Sequence, residues 1–294
     1  MATLQSYTVV GMAEDVSATI ANISPTSTPF QSSIKSEKVS ARTFEWMEDS
    51  IRAAGVNALV EGADSSDTTV LEPTLRSNVS QIIGESFKIA ATVDAVKTHG
   101  RAKETAYALA KTLKAIKLDV EKAMVGVDQA AVAGGASAAR KMASATQMIS
   151  TSVDAGSNST DALTEAKLLE LHQTCYENGS DPSVLMVKPA DASIISGFTT
   201  ASSRTRDFGQ SKTLTTAIEI LVTPFGTIRV LINRNQLATH ALLVDPSMWK
   251  QCTLRPFTRT LLAKNGDADH HFVVGETSLK HSSFASCGMI TGLS

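Results

Sequence analysis

One long helix dominates the architecture that this sequence predicts. Between Arg101 and Val125, apolar residues recur at steps of four, three, four and four, namely Leu109, Leu113, Ile116, Val120 and Met124. No glycine or proline interrupts the segment, and Gly100 and Gly126 mark its ends. This spacing is typical of a helix with one apolar stripe. About twenty-five residues rising 1.5 Å each make a rod of roughly 38 Å, about twice the average helix length.

A short segment before this helix, TFEWMED at residues 43–49, holds one of the two tryptophans of the chain among three acidic side chains. The alternation places Phe44 and Trp46 on one side and Glu45 and Met47 on the other, which is typical of a half-buried strand. We interpret the charged side chains as an acidic face of that strand. This face consists of Glu45, Glu48 and Asp49.

The strand at residues 43–49 has no near partner in the sequence. The next strong strand pattern covers residues 79–93, so a hairpin of the two would have a connection of about thirty residues, which is unusually long. The connection is too apolar for a plain linker, and it then becomes polar and rich in turn residues in EGADSSDTT. We therefore predict a projecting loop. Its apolar residues are Ile51, Val56, Leu59 and Val60.

Charge is distributed unevenly along the chain. The net charge is −2, which argues against a general nucleic-acid binder, since such proteins usually carry a basic surplus. Residues 1–80 hold ten acidic and five basic side chains, whereas residues 81–140 hold six and nine. Two interpretations stay open: a solvated surface, or an acidic loop of one copy that lies across the basic helix of the next. The lysines off the apolar stripe of that helix include Lys103, Lys111 and Lys114.

Bulk composition predicts a soluble, intracellular globular protein. The chain of 294 residues is 43% hydrophobic and 19% charged, and it contains no apolar run of the roughly twenty residues that a bilayer span requires. The N-terminal residues show no basic stretch followed by an apolar one, so we expect no secretory signal. Three scattered cysteines, Cys175, Cys252 and Cys287, lack metal-ligand or redox spacing and are expected to be reduced core thiols.

Residues 1–38 form an N-terminal arm in this interpretation. A short helix is predicted from Glu14 to Ile23, and Pro25 and Pro29 then stop it. The arm's apolar residues are too irregularly spaced for a folded unit, so we expect each one to fill a separate pocket on another surface. These residues are Ile20, Ile23, Phe30 and Ile34.

The second half of the chain predicts a compact α/β domain. Residues 130–159 are rich in small residues and are expected to be irregular, with one helical turn near Ala136 to Met142. A helix is predicted from Asp161 to Gly179, followed by a buried strand at SVLMVKP and a helix at ADASIISGF. Further strands are predicted at AIEILVTPFG and TIRVLINR, which form a hairpin, and at HALLVDPSMW and CTLRPFTRTLL. The closing HHFVVGETSLKHSSFASCGMITGL predicts a strand, a turn and a strand that returns to the first domain.

Catalytic signals are sparse. The sequence contains no phosphate-binding loop, dinucleotide fingerprint or nucleophile elbow. The most enzyme-like cluster is DADHH, whose Asp267, Asp269 and His270 are candidate ligands for a divalent metal. Because adjacent histidines on a strand point to opposite faces, at most one of His270 and His271 would join the aspartates, and ordinary hairpin polar residues are the simpler interpretation. A basic loop with Arg204, Arg206 and Lys212 is interpreted as either a binding loop or a solvated one.

Local sequence markers resemble those of tailed-bacteriophage major capsid proteins. The markers are TPF at residues 28–30, EWMED at 45–49, EGAD at 61–64, and the step from Asn78 to Gln81 before a strand and the long helix. GETSLKHSSFASCGMI resembles the closing strands of that family. The resemblance implies an α+β chain with the Hong Kong 97-like phage capsid fold. It also implies an arm at 1–38, an extended loop at 39–90, a peripheral domain at 91–159, an axial domain at 160–255 and a C-terminal return at 256–294.

The resemblance further implies a structural role without catalysis or cofactor. Copies of the chain would assemble as hexamers and pentamers into an icosahedral virion shell around double-stranded DNA, in the host cytoplasm. Portal and scaffolding proteins, and possible decoration proteins, would be partners, with weak DNA contact on the inner face and no membrane contact. We identify neither a self-cleaved scaffold segment nor a crosslinking Lys–Asn pair, so non-covalent holding is predicted. Intersubunit contacts are predicted at Phe30, Phe44, Glu45, Trp46, Glu48, Asp49, Glu61, Asp64, Lys103, Lys111 and Lys114.

Three other functions stay open at this point. An encapsulin-like nanocompartment shell would share the fold but enclose enzymes rather than DNA. A metal-dependent hydrolase would use Asp267, Asp269 and His270. A filament or tail-tube subunit would form rods instead of closed shells.

Overall fold

The computed structural model describes residues 26–52, 54–62, 64, 70–96, 103–156, 162–201, 220–264 and 266–294. Within these residues helices and strands are mixed along the chain. The helices are α1 (Pro29–Ser33), α2 (Ala91–Ala95), α3 (Glu104–Val125), α4 (Ala145–Met148), α5 (Glu165–Glu177) and α6 (Pro189–Ala201). The strands are β1 (Lys35–Lys38), β2 (Thr43–Glu48), β3 (Thr74–Val79), β4 (Gln81–Ala90), β5 (Thr151–Asp154), β6 (Val184–Val187), β7 (Ile220–Thr223), β8 (Gly226–Ile232), β9 (Ala241–Val244), β10 (Trp249–Leu261), β11 (Ala268–His281) and β12 (Gly288–Thr291).

The first sheet has four strands in the order β1-β10-β11-β4. β10, β11 and β4 are antiparallel, whereas the short β1 pairs in parallel with the start of β10. The sheet therefore joins the end of the N-terminal arm to strands from the last quarter of the chain. β10 also runs across the boundary predicted between residues 255 and 256.

The second sheet has six strands in the order β5-β12-β9-β6-β8-β7. One of its faces packs on α5, where Leu168, Leu171 and Cys175 are buried. The opposite face packs on the C-terminal half of α3, through Met186 and Leu242. β11 and β12 follow each other in sequence but belong to different sheets, so the C-terminal segment connects the two.

The partner predicted for residues 43–49 is wrong. β2 pairs with β3, from Thr43 opposite Val79 to Glu48 opposite Thr74, and these two strands form a separate ribbon. β4, which covers most of the predicted partner, pairs with β11 instead. Only Ser80 separates β3 from β4. The sequence TLRSNV of β3 is mostly polar because much of the ribbon is exposed, and this polarity hides the strand from a pattern search.

The predicted long helix is confirmed as α3, but its stripe differs at one position. Ile116, Val120 and Met124 are buried, whereas Leu113 is 44% exposed and Thr112 is buried instead. The helix ends at Gly126, where a side chain would collide with the carbonyl oxygen of Asn235. Only the C-terminal half of the rod is thus enclosed by the core, and the N-terminal half is more exposed.

The helical turn predicted near Ala136 to Met142 is also wrong. Residues 130–144 have no helix; Val132 and Lys141 form an isolated bridge, and the turn of helix occurs later, as α4. Two side chains of the Asn78 to Gln81 step hold this irregular segment. The Asn78 side-chain oxygen accepts the Ala143 N–H at 2.9 Å, and the Gln81 side-chain oxygen accepts the Met142 N–H at 3.2 Å.

Other predictions agree with the structure or lie outside its described residues. The hairpin of β7 and β8, the strand β6, the helix α6 and the final strand-turn-strand are confirmed. α5 begins after the cap Thr164, whose hydroxyl accepts the Lys167 N–H. No helix among the described residues is long and apolar enough to cross a membrane. Of the predicted features, the following lie outside the described residues: the helix Glu14 to Ile23, the first two residues of the long helix (Arg101 and Ala102), Asp161, and the loop residues Arg204, Arg206 and Lys212.

Candidate assembly surfaces

The extended loop has a base and a tip with different surroundings. We define the loop base as β2 and β3, and the loop tip as the described residues between them. At the base, the alternation of β2 points Phe44, Trp46 and Glu48 inward. Trp46 is only 8% exposed; its ring stacks on Phe44 at 5.7 Å between centroids and lies 6.5 Å from Phe284. The base is therefore part of the folded core of its own subunit.

Glu48 does not belong to the acidic outer face that the sequence suggested. It lies two residues from Trp46 and hence on the same side of the strand, and its side chain is 15% exposed. One carboxylate oxygen accepts the Arg76 Nε–H and the other accepts the Phe284 N–H, both at 2.7 Å. Burial alone would raise the pKa of Glu48, but the hydrogen bonds from Arg76, Ser283 and Phe284 outweigh it and lower that pKa.

Phe284 belongs to a longer row of aromatic side chains. His281 stacks on Trp249 with ring centroids 3.8 Å apart and lies 5.8 Å from Phe284, and Phe30 meets Trp249 edge-on at 5.6 Å. Burial lowers the pKa of His281 to about 4, although its hydrogen bond to the Met148 carbonyl opposes this effect. Six rings thus run continuously from the end of the arm to the loop base. We call Phe30, Trp249, His281, Phe284, Trp46 and Phe44 the ring row.

The arm end of the ring row is held by a buried carboxylate. The oxygens of Glu121, on α3, accept the backbone N–H groups of Phe30 and Gln31 at 2.9 Å each. The amide of Asn233 donates to the same carboxylate at 2.7 Å. Burial raises the pKa of Glu121, and these three donors oppose the rise. We call Glu121, Asn233 and Trp249 the arm seat, because together they hold the residues that lead out of the N-terminal arm.

The loop tip has the opposite character. Several large apolar side chains stand in solvent there, with exposed fractions from 77% at Leu59 to 101% at Val56. On the outer face of the base, Met47 and Leu75 lie opposite each other in register and are also exposed. Burying such side chains is worth about 1.5–3 kcal/mol each, so this surface is costly to leave in water. The most exposed apolar residues of the tip are Ile51, Val56, Leu59, Val60 and Val70.

The residues predicted to contact neighbouring subunits separate into two groups. Phe30, Trp46 and Glu48 have internal partners in their own subunit, and Phe44 is half-buried against Trp46. The charged residues form the second group and are exposed, acidic in the loop and basic on α3. The acidic residues are Glu45, Asp49, Glu61 and Asp64, and the basic ones are Lys103, Lys111 and Lys114.

The DADHH cluster does not assemble as a metal site. Asp269 pairs with Lys264 at 2.7 Å, and His271 packs its ring on Phe87 at 5.0 Å. Among the described residues no three His, Cys, Asp or Glu side chains are grouped in a way that could hold a metal ion. The three cysteines are buried thiols, and burial raises the pKa of both Cys175 and Cys252 to about 12.

Several structural residues were missed by sequence reasoning. Glu121 carried one signal, since it lies next to Val120 on the buried side of the helix, where an acid needs hydrogen-bond donors. Phe284, His281 and Asn233 gave no sequence signal, because the residues to which they hydrogen-bond, Glu48, Met148 and Glu121, lie more than 100 residues away along the chain.

Comparison with known families decides the identity of this fold. The SU10 major capsid protein family matches residues 2–294. The chain belongs to that family. A relative, the major capsid protein of Escherichia phage Phieco32, is 25% identical over 321 residues, which cover 92% of this chain and 91% of the relative. The chain is thus a structural major capsid protein of a phage and not an enzyme, so the metal-hydrolase alternative falls away.

Solved structures share the fold of this capsid protein. The capsid of the native GTA particle superposes with a TM-score of 0.70 at 12% identity, covering 98% of this chain and 97% of the other. The phage G capsid proteins, solved together with decoration proteins, give 0.61 at 8% identity, covering 96% and 95%. The holo-SrpI encapsulin of Synechococcus elongatus also gives 0.61, at 9% identity over 95% and 92%. The predicted Hong Kong 97-like capsid fold is confirmed, and these structures bear on the fold alone.

Proposed function

We propose that this capsid protein assembles as hexamers and pentamers into an icosahedral shell that encloses double-stranded DNA. The family match over residues 2–294 carries the proposal. The tip of the extended loop supports it physically, since a closed shell requires each copy to offer surfaces that another copy completes. We further propose assembly in the host cytoplasm, with portal and scaffolding proteins as partners. A decoration protein is a further proposed partner.

Within the shell, the loop tip of one copy packs on another copy. Burial of its apolar side chains supplies most of the contact energy in this proposal, because each is worth about 1.5–3 kcal/mol against about 0.2–1 kcal/mol for an exposed ion pair. The exposed acids of the loop lie over exposed lysines of α3 and set the orientation. These pairs would involve Glu45, Asp49, Glu61 and Asp64 on one copy and Lys103, Lys111 and Lys114 on the other.

The domain organisation and the contents of the shell are part of the same proposal. The arm (1–38), extended loop (39–90), peripheral domain (91–159), axial domain (160–255) and C-terminal return (256–294) act as the units of assembly. Subunits are held without covalent crosslinks. With a net charge of −2, each subunit contacts DNA weakly through local basic residues of the inner face.

Electron microscopy of the purified native assembly tests this proposal directly. Closed shells of icosahedral outline that contain nuclease-protected DNA are the expected result. The encapsulin-like alternative, whose fold the SrpI structure shares, predicts closed shells that contain a protein cargo and no genome. Rods would instead indicate a filament or tail-tube subunit, and either result would overturn the proposal.

Two sets of variants test the contacts between copies. Deleting residues 1–30 is expected to weaken assembly, and particles of normal size and heat resistance would exclude a role for the arm.

Lys111→Glu is expected to lower particle yield, and Glu61→Lys in the same chain is expected to restore part of it if the two positions face each other. Lys167→Glu, at a half-buried lysine of α5 that pairs with Glu170 of the same helix, is the control, because it makes the same charge change away from the proposed contact.

A further inference from the structure

The arm seat combines an apolar contact with a polar one. Phe30 packs on Trp249, and beside that contact a buried carboxylate receives three N–H donors, two of them from the backbone of Phe30 and Gln31. On separation, water can satisfy both the carboxylate and the two N–H groups, so most of their hydrogen-bond energy is recovered. Glu121 would be charged and solvated in the open state, whereas an apolar side chain there would strongly favour the closed one.

When the arm seat opens, Phe30 leaves Trp249, so the ring row loses its first ring. Phe30 is fully buried and meets the ring of Trp249 edge-on. The ring of Trp249 also stacks on the ring of His281. His281 is followed by Phe284, which is tied to the loop base by two contacts of its own. Its ring lies against Trp46, and its N–H donates to Glu48.

The same short segment of chain therefore touches both projecting parts of the subunit. Residues 281–286 carry His281 on the arm side and Phe284 on the loop side, three residues apart. His281 and Ser286 are hydrogen-bonded at 3.2 Å, which links the two ends of the turn between the strands. Arg76 of β3 covers the other contact surface of Phe284, with its guanidinium 4.3 Å from the ring centroid. Closely packed groups of this kind shift between discrete arrangements rather than deforming gradually.

We propose that the arm seat and the loop base are coupled through the ring row, so that docking of the arm on Glu121 fixes the loop base and release of the arm loosens it. The turn at residues 281–286 is the connecting piece. Glu121 acts as a positioning residue for the arm. The proposal concerns the single subunit, and it goes beyond the proposed function because it does not depend on which surfaces neighbouring copies contact.

Hydrogen exchange followed by mass spectrometry on the full-length, unassembled chain tests the coupling. In Glu121→Gln, an NH2 group takes the place of one carboxylate oxygen. Because an NH2 group cannot accept a hydrogen bond, the backbone N–H of either Phe30 or Gln31 loses its acceptor. Exchange of residues 30–38 is expected to accelerate about tenfold or more, the usual result of losing a hydrogen bond to a charged group. Coupling predicts that residues 43–48 and 74–79, which Glu121 does not touch, also accelerate, by about threefold.

A second substitution separates coupling from general loosening. Phe284→Leu interrupts the ring row, and adding Glu121→Gln to it is then expected to accelerate residues 30–38 without further change at residues 43–48. Leu168→Ala, in the separate core beneath α5, is the control for lowered overall stability. It should leave the ratio of the exchange rate at the loop base to the exchange rate in the rest of the chain unchanged.

The result that overturns the proposal is equally definite. If Glu121→Gln and Phe30→Ala accelerate exchange in residues 30–38 alone, the arm seat and the loop base open independently. The same conclusion follows if Glu121→Gln, like Leu168→Ala, leaves the ratio of exchange at residues 43–48 to exchange in the rest of the chain unchanged. Phe30→Leu keeps an apolar side chain in place of the ring, and it provides a milder variant should Phe30→Ala fail to fold.

Discussion

The base and the tip of the extended loop are neighbours in sequence but differ in what satisfies their side chains. At the base, Trp46 contacts Phe44 and Phe284, and Glu48 has hydrogen-bond donors on both oxygens, all from the same subunit. At the tip, Val56 and Ile51 are almost completely exposed. The difference indicates that one segment serves two separate needs: its base stabilises the subunit, and its tip is available to another copy.

This comparison predicts that substitutions at the base act on the free energy of unfolding, whereas substitutions at the tip act on assembly. The largest effect on stability is expected for Trp46→Ala, since removing a buried tryptophan side chain typically costs about 3–5 kcal/mol. Urea denaturation of the unassembled chain measures it. Met47→Ala is the matched control on the outward side of the same strand; a cost at Trp46 no larger than that at Met47 would place the base outside the core.

The next effect concerns pH. His281 has a pKa of about 4 in the folded chain against an ordinary value of 6.5. Between these values the unfolded state binds more protons, so stability is lost as the pH falls from 6.5 to 4, by about 3 kcal/mol in total. Denaturation curves at a series of pH values measure this slope. His281→Gln should flatten it, and an unchanged slope in that variant would assign the acid sensitivity to other groups.

A smaller effect is expected at Glu48. Glu48→Ala leaves the Phe284 N–H and the Arg76 guanidinium without their acceptor, which typically costs about 1–3 kcal/mol. Glu45→Ala, one step away on the exposed side, is the control and should change stability by less than about 0.5 kcal/mol. Equal values for the two variants would mean that Glu48 faces solvent after all. Thermal unfolding of both proteins provides the comparison.

The smallest effect on stability is expected at the tip. Val56→Ser removes an exposed apolar side chain, so the unfolding free energy should change by less than about 0.5 kcal/mol. Particle yield should nevertheless fall, because the same side chain loses its burial in the assembled state. Yield is counted by electron microscopy at matched protein concentration. A large loss of subunit stability with unchanged yield would reverse the roles of base and tip.

Sequence reasoning succeeded where structure is set by local periodicity. The α3 helix, the α5 helix and the hairpin of β7 and β8 follow from side-chain spacing and turn residues alone. The motifs that carried the family resemblance also predicted the fold. One of them, the step from Asn78 to Gln81, proved to be a pair of side chains that hold the backbone at Met142 and Ala143.

Sequence reasoning failed where the partner of a side chain lies far away along the chain. Glu48 was assigned to the acidic face because three acids occur within five residues, but its position two residues from Trp46 already placed it inward. Phe284, which contacts both Trp46 and Glu48, lies more than 230 residues away, and no local pattern encodes such a contact. The prediction of the strand that pairs with β2 was wrong for a related reason, since β3 is polar and exposed and hence resembles a linker.

The central claim is that the loop tip is exposed in the free subunit and covered in the shell, and thiol labelling tests it most directly. The native cysteines are fully buried, so Val56→Cys adds a single reactive thiol to a low background. We predict rapid labelling in the unassembled chain and labelling slowed about tenfold or more in intact particles, as for a group that reacts only on local opening. Equal labelling rates in the two states, with particles formed in normal yield, would contradict the claim.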